Sequence, residues 1–147
     1  MDKITVKFQN KSGNKDPEYA TEGSSGMDLR AHLETPETLM PLERKMIPTG
    51  IFLEIPRGYE VQVRPRSGNA WKFGVTCLNS PGTVDSDYRG ELKVILVNIS
   101  DSPHTIQNGD RIAQMVFSKI AEAQLQLVQE LEQTQRGAGG FGHTGHQ

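Results

Sequence analysis

Along much of the chain, apolar and polar positions alternate. Ile4, Val6 and Phe8 are separated by Thr5 and Lys7, and Tyr59, Val61 and Val63 by Glu60 and Gln62. Side chains two residues apart share one face of a strand, so this spacing predicts half-buried strands. Residues 46–55, 75–78, 92–99 and 111–120 are rich in β-branched or other apolar residues and are bounded by Gly, Pro, Asn, Asp and Ser. That is the composition of strands cut off by turns. Strands at such short spacing imply an all-β sandwich or barrel.

Two stretches depart from the alternation. Residues 67–74 have a cap-like Ser67, a short body and a closing Gly74, which predicts a turn or two of helix with Trp71 as its packing residue. Residues 121–134 are rich in Ala, Gln, Glu and Leu, with Leu127, Val128 and Leu131 near helical spacing, so the pattern alone leans to helix. Ala123, Leu125 and Leu127 fit an alternating strand as well. After Arg136 the run Gly137-Ala138-Gly139-Gly140-Phe141-Gly142 is too glycine-rich to hold either form and reads as a mobile tail until something orders it.

Composition narrows the class. A chain of 147 residues fits a single domain, and its lone Cys77 excludes an internal disulfide. A net charge of −2 argues against a surface built to neutralise nucleic acid. No apolar run approaches the roughly 20 residues of a membrane span. The first residues lack the pattern of a signal or transit peptide, so the cytosol is the default compartment.

Candidate chemistry lies between the strands. Arg64-Pro65-Arg66-Ser67-Gly68 puts arginines and a hydroxyl at a helix start, which suits an anion, although a plain N-cap with solvated arginines fits as well. Residues 82–90 read as a β-hairpin tip carrying Asp85, Asp87 and Tyr88. An aspartate held there next to a polyphosphate would orient and deprotonate a water, while turn tips are also acidic for conformational reasons. The glycine run beside Arg136 and Thr144 would wrap phosphates with bare N–H groups, but with so few residues after Gly142 it cannot begin a dinucleotide fold. Cys77, in an apolar strand with no activating motif, reads as a core thiol. His143 and His146 resemble a metal pair only loosely.

Five segments, taken in order, resemble the motifs of the trimeric dUTP diphosphatase (dUTPase) family: Gly26-Met27-Asp28-Leu29-Arg30-Ala31, Arg64-Pro65-Arg66-Ser67-Gly68, residues 79–90, Gly109-Asp110-Arg111-Ile112-Ala113-Gln114, and residues 136–142. Asn69 and Trp71 depart from the aliphatic residues common after the Arg-Ser-Gly. The resemblance implies a jelly-roll-like β-sandwich with one short helix, assembled as a homotrimer with shared active sites. Residues 121–134 would be a C-terminal strand exchanged between subunits; residues 1–134 would form the domain and 135–147 a flexible glycine-rich lid.

The implied reaction is dUTP plus water giving dUMP and pyrophosphate by attack at the α-phosphorus, which lowers dUTP, keeps uracil out of DNA and supplies dUMP for thymidylate synthesis. On this resemblance Asp85 is the base. Tyr88 stacks under the deoxyribose, and Asn79 with Gly82, Thr83, Val84 and the strand near Lys93 bonds the uracil edge. Arg66, Ser67, Gly68 and Gln114 bind phosphates, Arg136, Gly142, His143 and Thr144 clamp the γ side, and Phe141 stacks over the uracil. Mg²⁺ suits the triphosphate, without direct protein ligands and with Asp28 acting through water. A dCTP deaminase would share the sandwich and trimer, but Asp85-Ser86-Asp87-Tyr88 and the complete tail favour a dUTPase. A nucleotide-sensing protein that has lost catalysis is the other alternative.

Overall fold

Alternation becomes strand closely where it is found in the sequence. The computed structural model describes residues 3–141. In order these form β1 (Lys7–Asn10), β2 (Met27–Arg30), β3 (Glu37–Leu39), β4 (Arg44–Glu54), β5 (Tyr59–Arg64), α1 (Ser67–Phe73), β6 (Val75–Cys77), β7 (Gly82–Val84), β8 (Glu91–Asn98), β9 (His104–Ile106) and β10 (Arg111–Lys119). β1 starts at Lys7 rather than Ile4, and Val6 packs against the core from outside the ladder. β2, β3, β7 and β9 are three or four residues long, too short to show a period.

Two four-stranded antiparallel sheets, β1-β4-β8-β6 and β2-β10-β5-β7, are joined by a small β3-β9 pair. Ile47, Val75, Val94 and Leu96 of the first sheet and Leu29, Val61, Ala113 and Met115 of the second belong to one buried core, the arrangement of a β-sandwich. Among the described residues two polar side chains are buried with it, Thr49 on β4, whose hydroxyl donates to the Leu92 carbonyl, and Asn98 on β8. The Asn98 amide donates to the carbonyls of Leu39 and Ser102, and its side-chain oxygen accepts from Ser100, so neither polar atom of that side chain is left unpaired. It ties the ends of β3 and β8 together. Among the described residues no helix is long and apolar enough to cross a membrane.

Three expectations change. Ser67 is the first helical residue, not the cap: Arg66, whose side chain reaches back to Asp28, is the last extended residue (φ −97°, ψ 128°). Trp71 is 89% exposed and packs no core; α1 buries none of its residues. It is held instead by Asn69, whose amide donates to the Arg111 carbonyl, by Phe73 stacked 4.6 Å from His104, and by Gly74. Gly74 caps the helix in the left-handed region at φ 64°, where a Cβ would also meet Ser100 at 2.8 Å. The third concerns 121–134, where the single chain forms neither the helix to which the pattern leans nor a strand. Leu125, Leu127 and Leu131 stay 93%, 99% and 84% exposed, and a helix whose apolar residues meet nothing lacks the packing that stabilises it.

Candidate active site

The centre of the second sheet gathers the first group of predicted site residues. β10 runs between β2 and β5, and its Gln114 stands opposite Asp28 on one side and Arg64 on the other. Two residues beyond Arg64, Arg66 turns its Nε onto Asp28 Oδ1 at 2.9 Å, with both side chains about one-fifth exposed. Arg111 Nη1 approaches Oδ2 at 3.4 Å and Gln114 Nε2 lies 3.5 Å from Oδ1. One carboxylate thus orders two guanidinium groups and an amide, all presenting N–H donors. A charge-assisted pair at this depth is stronger than a surface ion pair, because less water competes for it.

Arg111 has no assigned role in the sequence reading, although it lies in a quoted motif. In a regular strand Arg111 would share the face of Ala113 and point away from Gln114, but the strand is not regular. Between Arg111 and Ala113 the register with β2 shifts, and Ile112 and Ala113 are both buried. This bulge returns Arg111 to the Asp28 side. The signal in the sequence is the adjacent apolar pair Ile112-Ala113 inside an alternating strand. Gly109 and Asp110, by contrast, serve the turn: Asp110 accepts the Gln107 N–H, and Gly109 exchanges bonds with Ala31 and Arg30.

The second group surrounds the connection from β7 to β8. Its hairpin reading is corrected here: β7 pairs with β5 and β8 with β4 and β6, so residues 85–90 cross from one sheet to the other. Asn79 leads into this segment, its amide 3.1 Å from where a Cβ on Gly82 would stand. Thr83 is exposed and Val84 half-buried. Asp85 and Tyr88 are exposed, and the Tyr88 N–H bonds the Asp85 carbonyl at 3.2 Å. Arg89 Nη1 braces the turn by donating to the carbonyls of Ser86 (2.7 Å) and Tyr88 (3.1 Å). Lys93 is exposed on β8, 4.0 Å from Glu91.

Ser67 and Gly68 open α1, exposed. A seven-residue helix carries little dipole, so any hold on an anion here falls to side chains such as Arg66. Arg136 folds onto its own chain, with Nε donating to the Gly139 carbonyl at 2.8 Å, and Phe141 is fully exposed. Gly142, His143 and Thr144 lie outside the described residues. The carboxylate groups therefore stay apart within one chain: Asp28 is paired to Arg66, Arg111 and Gln114, and Asp85 is in none of these contacts. Cys77 is buried, and burial pushes its thiol up to about 11, which suits a core residue and not a nucleophile.

Comparison with known proteins places this geometry. The family model described as dUTPase matches residues 13–145. The deoxyuridine 5′-triphosphate nucleotidohydrolase of Finegoldia magna is 55% identical over 143 residues, covering 97% of this chain and 100% of that protein. The protein of the same name from Chlamydia pneumoniae is 57% identical over 97% of this chain and 99% of its own. Among solved structures, the dUTPase of Staphylococcus bacteriophage 80alpha with dUPNHPP superimposes with a TM-score of 0.88 at 26% identity, covering 97% of this chain and 99% of that one. Matched along nearly its whole length in sequence and in fold, the chain belongs to the dUTPase family.

Proposed function

We propose that this chain hydrolyses dUTP to dUMP and pyrophosphate with the two groups of residues above divided between phosphate binding and water activation. The observation that carries the reading is the meeting of Arg66 and Gln114, both assigned to phosphate by family resemblance, on the single carboxylate of Asp28. A guanidinium held by a carboxylate on one edge still offers N–H donors on the other, which is how planar recognition of phosphate is preorganised. Ser67 and Gly68 lie beside it.

Asp85 positions the attacking water and takes its proton. The water oxygen bonds to the α-phosphorus, the bond to the α–β bridging oxygen breaks, and its electron pair leaves with pyrophosphate. Tyr88 carries the deoxyribose. Asn79, Gly82, Thr83, Val84 and Lys93 border the uracil, and the close seating of Gly82 against Asn79 supports a pocket too tight for the methyl of thymine. Arg136, Phe141, Gly142, His143 and Thr144 complete the γ side and the uracil ceiling as a lid formed by residues 135–147, with 1–134 as the domain.

Mg²⁺ fits these residues in one way. Among the described residues no group of three or more His, Cys, Asp or Glu is arranged to hold a metal, and Asp28 is occupied by its three donors. An ion that arrives on the phosphates and keeps its water shell needs only an outer carboxylate, which Asp28 offers through water. Bound, it offsets the triphosphate charge.

A homotrimer with an exchanged C-terminal strand accounts for two features of the single chain. Residues 121–134 present Leu125, Leu127 and Leu131 to solvent. An apolar groove of about 970 Å³, lined by Ile4, Val6, Phe8, Met27, Tyr59 and Phe117, opens beside β1 and β2, each the outer strand of its sheet. A neighbour's alternating strand seated there would cover both.

Pyrophosphate release from dUTP, dCTP, dTTP and UTP, each with Mg²⁺ and with chelator, tests this. Release from dUTP alone, lost on chelation, is the expected result. Equal release from UTP or dTTP overturns the sugar and base assignments, and ammonia release from dCTP points to the deaminase.

A further inference from the structure

Gly90 is a glycine for want of space and not for backbone reasons. Its φ lies outside the left-handed region, so an alanine backbone fits without strain. A Cβ there would stand 2.3 Å from Tyr88 Oη, 2.4 Å from Cζ and 2.8 Å from Cε2. The ring of Tyr88 is folded back across the Gly90 Cα, and its hydroxyl donates to the Glu91 carbonyl at 3.0 Å. Glu91 is itself fixed to the sheet: it pairs with Phe52 across β4, and its Oε1 accepts the Gly50 N–H at 2.9 Å. Gly50 in turn is at φ 69°, pressed against Ser12, so this strut has little freedom to follow a displaced ring.

We propose that Gly90 is a positioning residue that sets sugar specificity. By letting the Tyr88 ring lie against bare backbone, it fixes the height of the ring's exposed face and hence the clearance that separates 2′-deoxyribose from ribose. The inference rests on the reading of Tyr88 as the sugar platform. A methyl at residue 90 lifts or turns the ring, and clearance on the scale of one methyl is worth a tenfold or larger change in discrimination between close substrates.

The test is a double-mutant cycle on the full chain with Mg²⁺, reading kcat/KM for dUTP and for UTP together with Tm. Gly90→Ala is expected to lower the dUTP-to-UTP ratio at least about tenfold, and Tyr88→Ala to lower it as well. In the Tyr88→Ala background, adding Gly90→Ala is expected to change neither ratio nor Tm, because the atoms it would strike are gone. Should Gly90→Ala fold poorly, Tyr88→Ala must restore it; failure to do so overturns the inference. Loss of selectivity in Tyr88→Ala beside full selectivity in Gly90→Ala overturns the Gly90 role alone. Unaltered selectivity in Tyr88→Ala overturns the sugar-platform reading and this inference with it.

Discussion

Asp28 and Asp85 are both aspartates of the candidate site, yet the fold treats them in opposite ways. Asp28 sits on β2 in the middle of a sheet, its side chain 19% exposed and taken up by Arg66, Arg111 and Gln114. Asp85 follows the last residue of β7 on a segment between sheets; it is exposed, and among the described residues its carboxylate accepts no hydrogen bond. A carboxylate with most of its lone pairs committed to two guanidinium groups and an amide is a strut. One held by its backbone, with both oxygens open, can accept a proton from water. On the proposed reading, this difference separates the machinery that places the phosphates from the group that performs the chemistry.

The sharpest way to break this division is Asp85→Asn. The amide keeps the size of the side chain and loses its basicity, so turnover of dUTP should fall at least about a hundredfold, the low end of what a positioned base contributes. dUTP affinity, read by calorimetry, and Tm should stay near the parent values, since no described hydrogen bond is lost. Turnover near normal would remove Asp85 from the base role.

Asp28→Ala should show the reverse signature. It leaves two guanidinium groups facing each other without their shared anion, at a cost of about 1–3 kcal/mol. In a domain of this size that is a fall in Tm of very roughly 3–10 °C. KM for dUTP should rise more than kcat falls, because Arg66 and Gln114 lose the group that aims them. Asp28→Asn, which retains an acceptor, should lie between. A variant with intact Tm and KM but poor kcat would move Asp28 from the strut to the chemistry.

How much of this the sequence disclosed depends on the length over which a pattern runs. β4, β5, β8 and β10 are six to eleven residues long, and declare themselves by alternation in β5 and by apolar, β-branched runs between turn residues in the others. β2 and β7, which carry Asp28 and lead into Asp85, are too short for any period; Asp28 is legible only through the family motif around it, and Asp85 is one of two readings of an acidic turn until the motifs favour it. Arg111 was hidden by a bulge that breaks alternation, and Gly90 by a contact with a side chain two residues away, which no pattern records. The reading of 121–134 met a different limit. A segment with both helical and alternating features takes its form from whatever buries it, and none of the described residues of the one chain does so.

The smallest effect concerns the ground on which the Asp85 segment stands. Cys77 ends β6, and its carbonyl accepts the Ser80 hydroxyl at the root of that segment. Burial raises its thiol from 9.0 to about 11. The sign follows from proton counting. Below pH 9 the thiol is protonated in both the folded and the unfolded chain and contributes no pH dependence. From pH 9 to about 11 the unfolded chain has lost the proton and the folded chain retains it, so stability falls as pH rises through this window. Above about 11 the loss is complete. Urea midpoints of the parent and of Cys77→Ala, taken at intervals from pH 8 to 11, should therefore converge as pH rises, with the lysines and tyrosines common to both cancelling in the difference. Cys77→Ala should keep turnover within about twofold, because the bond to Ser80 is made by backbone and survives the substitution. A constant gap between the two proteins across that range would mean that the thiol ionises as freely in the fold as out of it; a large loss of turnover would mean that the floor of the sandwich and the Asp85 segment are one mechanical unit.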